Sequence, residues 1–532
     1  MAGPSFSGFV IPGGVAARDL TEIQFDLSGG AAPYSNPFDD QVIAVDAAIT
    51  DPNGVLRLPP NGSQFTIPCA WIQKTSETGN ASGHGETFAA LSTGHWYLHF
   101  RFDLPGVWTI RFTATDAGGT TTSSVQSITI GPVGSGTAAV LGGHLSPWRI
   151  KNGYITLDDG TWLPFYGQNQ AVIDRDYTLD GTPGFTKFLG YLGKYGAPVA
   201  RFMLSSYHRN GLEWSSSAPL YSGFDNLYVG LGRYSQQFAR RVDQFLTIAQ
   251  ANGVSVLFAL NTHGEFSTSS DAQWSHSPYS DAATPAGPVP ASDPALMLTN
   301  ASAIRYQKLK LRYVIARWAG YPSFGCIEWM NETGSVGNGF FTGNNTVAND
   351  AAWVATMQAY KATIDPYDIA DSDSEEWDPS AGKELQFPQN SDPIMVLVDL
   401  PQEHVYQNDP ATTVNDRRHT ALDMDRNMQL RLSWPSRVPV WTETGLYRSP
   451  SAPEPNFNPV SSSLSGIQKN HLLAGTHVRA SLWEGIASGF IGGLEWWFGS
   501  LAENAGQNRV SGTLPYGGTP VEPWHVPLAT VY

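Results

Sequence analysis

The chain has 532 residues, more than one hydrophobic core holds, and its length points to roughly two to four domains. Lys and Arg number 31 against 47 Asp and Glu, a formal net charge of −16, so no basic stripe exists to meet phosphates and a nucleic-acid partner is excluded. No apolar run approaches the roughly 18 residues of a membrane span, and 15% charged residues with 54 Gly and 37 Pro read as strands and loops, not as a helical bundle.

Met1-Ala2-Gly3-Pro4-Ser5 offers no basic n-region and no apolar core, so no signal peptide is expected there. That leaves a cytoplasmic protein, or a secreted or periplasmic one whose signal has been removed. From about residue 20 to 131 the pattern is all-β. Short runs rich in Val, Ile, Phe, Thr and Trp cover Glu22–Leu27, Val42–Ile49, Phe65–Gln73, Trp96–Phe102, Trp108–Thr115 and Ser124–Ile130. Turn signals such as Asn53-Gly54, Asn61-Gly62 and Gly118-Gly119 separate them, which predicts an antiparallel β-sandwich. Tyr97, His99 and Arg101 alternate with Trp96, Leu98, Phe100 and Phe102, so one face of that strand is expected to be polar and the other core. Tyr34, Trp71 and Trp96 are the aromatics expected at its surface.

Gly131-Pro132-Val133-Gly134-Ser135-Gly136 has the composition of a joint and divides the chain into residues 1–135 and 136–532. A small hairpin follows, and then the period changes. Candidate strands Leu163–Gly167, Val199–Met203, Val254–Leu260, Gly325–Met330, Ile369–Asp371, His404–Tyr406, Val438–Thr442 and Phe490–Trp496 alternate with candidate helices Gly184–Tyr195, Ser235–Asn252, Ala301–Ala319, Ala351–Ile364, Thr413–Leu432 and Asn470–Ser488. Eight such strands predict a multidomain chain whose second part is an α/β TIM (β/α)8 barrel. An open doubly wound sheet would want a glycine-rich turn after its first strand, and Tyr166-Gly167-Gln168-Asn169-Gln170 is not one. Cys69 and Cys326 fall on opposite sides of the joint and are expected to be buried thiols, not a disulfide.

A barrel gathers its strand C-termini around one mouth. In this chain those ends carry Asn169, Arg201, Ser205, Asn261, His263, Asn331, Glu332, Asp371, Asp373, His404, Tyr406, Glu443, Trp496 and Trp497. Two apolar strands ending on a glutamate present two carboxylates on one rim, which is what glycosidic bond cleavage requires. Either Glu332 or Glu443 alone would read as a surface carboxylate; the pair carries the reading. With 17 Trp and 21 Tyr, the chain is also well supplied with faces on which sugars stack. Asp371-Ser372-Asp373-Ser374-Glu375-Glu376 departs from a calcium loop at its sixth and twelfth positions, Glu376 and Gly382, and is read as an acidic rim loop with no metal. No Gly-x-Ser-x-Gly, His-Glu-x-x-His, Cys-x-x-Cys or P-loop occurs.

Asn331-Glu332 after the fourth strand, with Glu443 after the seventh, resembles the clan A glycoside hydrolases, retaining (β/α)8 enzymes that include the family 5 cellulases and mannanases. Glu328-Trp329-Met330-Asn331-Glu332 is similar to the family's Trp-Glu-x-x-Asn-Glu run, with Cys326 and Ile327 where that Trp is expected. Residues 20–131 resemble the sandwich found ahead of apiosidase-like members, through Asn36-Pro37-Phe38-Asp39 and Gly106-Val107-Trp108-Thr109. The resemblance implies Glu332 as acid/base and Glu443 as nucleophile, with Arg201 and Tyr406 beside the nucleophile. It further implies Asn331 on the sugar 2-hydroxyl, His263 and His404 as rim histidines, and Trp496 or Trp497 as a sugar platform. It implies a carbohydrate substrate and no cofactor. The rival reading is a carbohydrate-binding protein on a barrel that has lost catalysis.

Overall fold

A computed structural model describes residues 3–78, 87–134, 145–169, 181–194, 196–205, 211–215, 230–377, 393–408, 437–447 and 493–495. The N-terminal part is two facing, largely antiparallel sheets. One runs Pro4–Val10, Leu20–Gly29, His95–Arg101, Ala70–Ile72; the other runs Val15–Ala16, Gln126–Gly131, Gly106–Asp116, Ile43–Thr50, Leu56–Arg57. Period-2 alternation supplies the core between them: Phe25 of one sheet meets Phe112 of the other at 4.6 Å between ring centroids. Buried Trp108 satisfies its indole N–H on the Leu104 carbonyl at 2.9 Å. Two readings need correction. Pro4–Val10 is a strand although its sequence gives little alternation. Phe65–Gln73 breaks at Pro68-Cys69 into Ile67–Pro68 and Ala70–Ile72, which pair with different sheets.

The second part is a closed barrel of parallel strands: Gly167–Asn169, Val199–Met203, Ser255–Ala259, Phe324–Glu328, Ala370–Trp377, Leu400–Asn408, Val440–Tyr447 and Gly493–Glu495, numbered here one to eight. Closure is made by Gly167 pairing with Leu494. Helices α1 (Gly181–Lys194), α2 (Gln236–Ala251), α3 (Ala301–Trp318) and α4 (Val347–Ile364) follow strands one to four. Ser235, Asn300 and Thr346 cap α2, α3 and α4 by accepting backbone N–H groups, as short polar side chains do ahead of an apolar-periodic run. The expected helices Thr413–Leu432 and Asn470–Ser488, and the joint at residues 135 and 136, lie outside the described residues.

Val199, Leu257, Cys326, Ala370, Leu400, Val440 and Leu494, one from each of strands two to eight, join Trp148, Leu163 and Phe165 in a single apolar cluster that plugs the barrel floor. Trp148 lies over Gly325, where a Cβ would sit 2.2 Å from its indole nitrogen, so only glycine admits it. Leu163 and Phe165 therefore line the floor instead of forming strand one, which starts at Gly167; the intervening Pro164 has no N–H for a ladder. Cys69 and Cys326 are buried free thiols, and burial pushes both well above the usual thiol range.

The face of His95–Arg101 expected to be polar and solvated is buried against the barrel. His99 Nδ1 lies 2.7 Å from the Arg317 carbonyl of α3, and the Arg101 N–H donates to Tyr367 Oη at 2.7 Å. Trp96, expected at the surface, is also buried. The Asn36-Pro37-Phe38-Asp39 turn is a docking device. Asn36 Nδ2 donates to the Gly232 carbonyl at 2.8 Å, the Phe38 ring sits 5.1 Å from Tyr234 and 5.5 Å from Tyr313, and Asp39 accepts from Arg305. Arg312 of α3 reaches Asp46 Oδ1 at 2.7 Å; burial works to raise the Asp46 pKa and outweighs the arginine. Such an interface stabilises the barrel directly. A chain starting near Val140 is expected to melt at least about 5 °C below the full-length protein, the effect of a few kcal/mol in a protein of this size. Equal melting temperatures in a calorimetric scan would mean that the docking contributes nothing.

Candidate active site

Arg201, expected at the end of strand two, is instead its middle residue and points inside the barrel with no solvent exposure. A guanidinium has five N–H donors, and all five are used. Nε and Nη2 grip Glu328 at 2.7 and 2.5 Å, Nη1 reaches Asn169 at 3.2 Å and Glu443 at 2.6 Å, and Nη2 also reaches Asn331 at 2.7 Å. Burial alone would lower the Arg201 pKa; Glu328 and Glu443 outweigh it and hold the group above its ordinary value. Arg201 is thus a fixed cation.

Glu443 was expected at the tip of strand seven. The strand instead continues to Tyr447, and a bulge turns Glu443 toward the site. Glu403 pairs with Trp441 but His404 pairs with Glu443, leaving Thr442 as the extra residue. The Thr442 carbonyl accepts from Asn169 Nδ2 at 2.7 Å, which orients Asn169 toward Arg201.

Glu332 follows strand four in left-handed backbone geometry, φ 56° and ψ 60°, uncommon for a residue with a Cβ and a strain of about 1–3 kcal/mol that surrounding contacts must hold. Those contacts come from strand five. Ser374 Oγ accepts the Glu332 N–H at 2.9 Å, Asp373 accepts from Thr333 Oγ1 at 2.5 Å, and Glu375 accepts from the Gly334 N–H at 3.1 Å. The acidic run at 371–376 is accordingly not a rim loop but part of strand five, Ala370–Trp377. Asp371 sits at the start of that strand, where it accepts from Trp329 Nε1 at 3.2 Å.

The two glutamates converge. One oxygen of Glu332, one of Glu443 and a ring nitrogen of His404 lie within 4.8 Å of one another, all buried. His404 Nδ1 is 2.7 Å from Glu332 Oε1 and 3.5 Å from Glu443 Oε2. His263 Nδ1 is 3.2 Å from both Glu332 Oε2 and Asn331 Nδ2: it accepts from the amide in one tautomer and donates to the carboxylate in the other. Among the described residues these three donors are also the group compact enough to hold a cation, though Arg201 already supplies a positive charge to Glu443.

Of the expected site residues, the structure brings together Arg201, His263, Asn331, Glu332, His404 and Glu443. Tyr406 lies on strand six, but its side chain, like Trp496 and Trp497, is outside the described residues. Glu328 and Ser374 were not singled out as site residues. A lone acid inside the apolar run Phe324–Glu328 was the available signal, because a buried charge requires a partner.

No protein-family model matches the chain, and no curated protein matches it in sequence. Among solved structures, a proposed glycoside hydrolase from Bacteroides vulgatus is similar over 91% of this chain and 72% of that one, at 13% identity and a TM-score of 0.52. The β-glucuronidases of Ruminococcus gnavus and Lactobacillus rhamnosus align with TM-scores of 0.39 at 11% and 10% identity, and this chain spans 60% of their length. At such identities the likeness to the first is one of fold.

Behind the mouth a second buried group holds the loops. Glu213 accepts the Gly232 N–H at 2.9 Å and lies 3.9 Å from Lys310, whose Nζ donates to Asn261 Oδ1 at 2.7 Å. Asn261 in turn donates to the Trp329 carbonyl at 3.0 Å, and its own carbonyl accepts the Asn331 N–H at 3.0 Å. Burial pushes Glu213 from 4.5 up to about 7. A raised acid contributes stability that is complete below about pH 4.5 and lost as pH rises through about 7. Urea unfolding should show wild type losing about 3 kcal/mol relative to Glu213→Gln between pH 4.5 and pH 8. A difference that stays constant with pH would mean that Glu213 does not titrate in this range.

Proposed function

We propose that this chain is a retaining glycoside hydrolase of clan A type, with residues 1–135 a supporting sandwich and residues 136–532 a catalytic (β/α)8 barrel that cleaves a poly- or oligosaccharide. The observation that carries the reading is the approach of Glu332 and Glu443, with oxygens within 4.8 Å. Retaining enzymes hold their carboxyl groups about 5–5.5 Å apart, whereas inverting ones leave room for a water at about 6.5–9.5 Å. The fold-level neighbour from Bacteroides vulgatus, itself described as a proposed glycoside hydrolase, agrees with this reading.

In this mechanism Glu443, oriented by Arg201 at 2.6 Å, attacks the anomeric carbon as an ionised nucleophile. Glu332 gives its proton to the departing oxygen. The C–O bond to the leaving group breaks as the bond to Glu443 forms, leaving a covalent glycosyl-enzyme. Glu332 then takes a proton from water, which displaces Glu443 and restores the original anomeric configuration. His404 and His263 flank Glu332 at 2.7 and 3.2 Å and exchange hydrogen bonds with it as its proton comes and goes. By the resemblance alone, Asn331 is assigned to the sugar 2-hydroxyl, Tyr406 to Glu443 and Trp496 or Trp497 to the platform.

The two glutamates are expected to fail differently. Glu443→Ala should abolish turnover of aryl glycosides, and added azide should yield a glycosyl azide of inverted configuration. Glu332→Ala should keep activity mainly on substrates with good leaving groups, losing about 10²–10⁴-fold on poor ones. Parallel losses on both substrate types would refute the role assignment. If wild type releases no phenol from any aryl glycoside in a panel of pyranosides and furanosides but still binds glycans, the rival binding-protein reading takes over.

A further inference from the structure

Glu328 is fully buried in strand four, four residues ahead of Glu332, and takes no place in the double displacement. Its contacts nevertheless reach both reacting carboxylates. Its two oxygens hold Arg201 Nε and Nη2 at 2.7 and 2.5 Å, a bidentate grip that leaves Nη1 aimed at Glu443. Oε1 also accepts from Ser374 Oγ at 2.9 Å, and that same Ser374 oxygen accepts the strained Glu332 N–H.

We propose that Glu328 is a positioning residue that sets the charge balance of the site: it offsets Arg201, so that the nucleophile faces a cation already half neutralised, and through Ser374 it fixes the backbone of Glu332. This rests on the glycosidase reading for its consequence in catalysis, but not for its electrostatics. Among the described residues, the charged or titratable groups facing this centre are Arg201 from strand two, His263 and Glu332 from the loops after strands three and four, His404 from strand six and Glu443 from strand seven. Asp371, Asp373 and Glu375 of strand five turn the other way, to Trp329, Thr333 and Gly334. Nothing else inside the ring replaces the charge of Glu328 among the described residues.

The test is Glu328→Gln, which keeps shape and removes the charge. Arg201 then stands uncompensated beside Glu443, and one unmatched charge within about 4–6 Å moves a carboxyl titration by about 1–3 pH units. Carbon-13 NMR of glutamate-labelled protein, with Glu443→Gln identifying the resonance, reads Glu443 directly without turnover. The midpoint should fall by at least about one unit, and the acid limb of kcat/KM on an aryl glycoside should move with it. A lowered kcat with both midpoint and limb unmoved means an ordinary packing role and overturns the inference. If the NMR midpoint moves but wild type hydrolyses no glycoside, the glycosidase reading fails while the charge balance stands. Should Glu328→Gln not fold, Ser374→Ala decides: it should cost alkyl glycosides at least tenfold more than nitrophenyl glycosides, and equal losses on the two would overturn the link to Glu332.

Discussion

Arg201 never meets water, and a guanidinium in that position must find an acceptor for each N–H or leave donors orphaned at about 1–3 kcal/mol apiece, more for a charged group. Its acceptors come from strand one, strand four, the turn after strand four and strand seven, so they meet only when the barrel is closed in this register. Beneath it lies an apolar floor sealed by Trp148. The floor keeps solvent from competing with the ion pairs above, and the ion pairs make slippage of any contributing strand costly. Fold and chemistry share one constraint.

A second constraint acts at right angles to the first. Strand five spends its outward acids on the loop that carries Glu332, and its inward Ser374 on the Glu332 N–H. Asn345 Nδ2 lies 3.2, 2.9 and 2.8 Å from the carbonyls of Thr333, Gly334 and Val336. A left-handed residue with a Cβ persists only when its neighbours over-determine it, and here they do.

Much of this was legible in the residues. Val199–Met203 was read to the residue because a short, mostly apolar run is bounded by Pro198 and followed by Ser205, and α2 and α3 were read to within a residue or two because Ser235 and Asn300 announce their caps. Strand five was misread because acidic residues suggest solvent; its Asp/Ser alternation at period two was the better guide. The Glu443 bulge had no local signal, since a bulge is defined by the partner strand's register and not by its own sequence. The His95–Arg101 strand showed its alternation correctly, yet polar side chains mark a solvated face and a docking face alike. The pairing of Glu328 with Arg201 joins residues 127 apart, and no local pattern reports it.

The bulge at Thr442 gives strand seven a reading frame. On its N-terminal side Val440 belongs to the barrel interior, and at Glu443 the count is offset by one so that the glutamate also faces in. A homologue that keeps every residue from Val440 to Glu443 but pairs strand seven with strand six without the bulge would have the same composition, hydropathy and strand length. Its carboxylate would nevertheless point at the helical layer, because side chains alternate faces with a period of two. Deleting Thr442 together with the bulge would instead leave the glutamate two places after Val440, facing inward again. The spacing between Val440 and the glutamate therefore has meaning only with the register of strand six beside it: three places with a bulge, or two without one, aim the carboxylate inward.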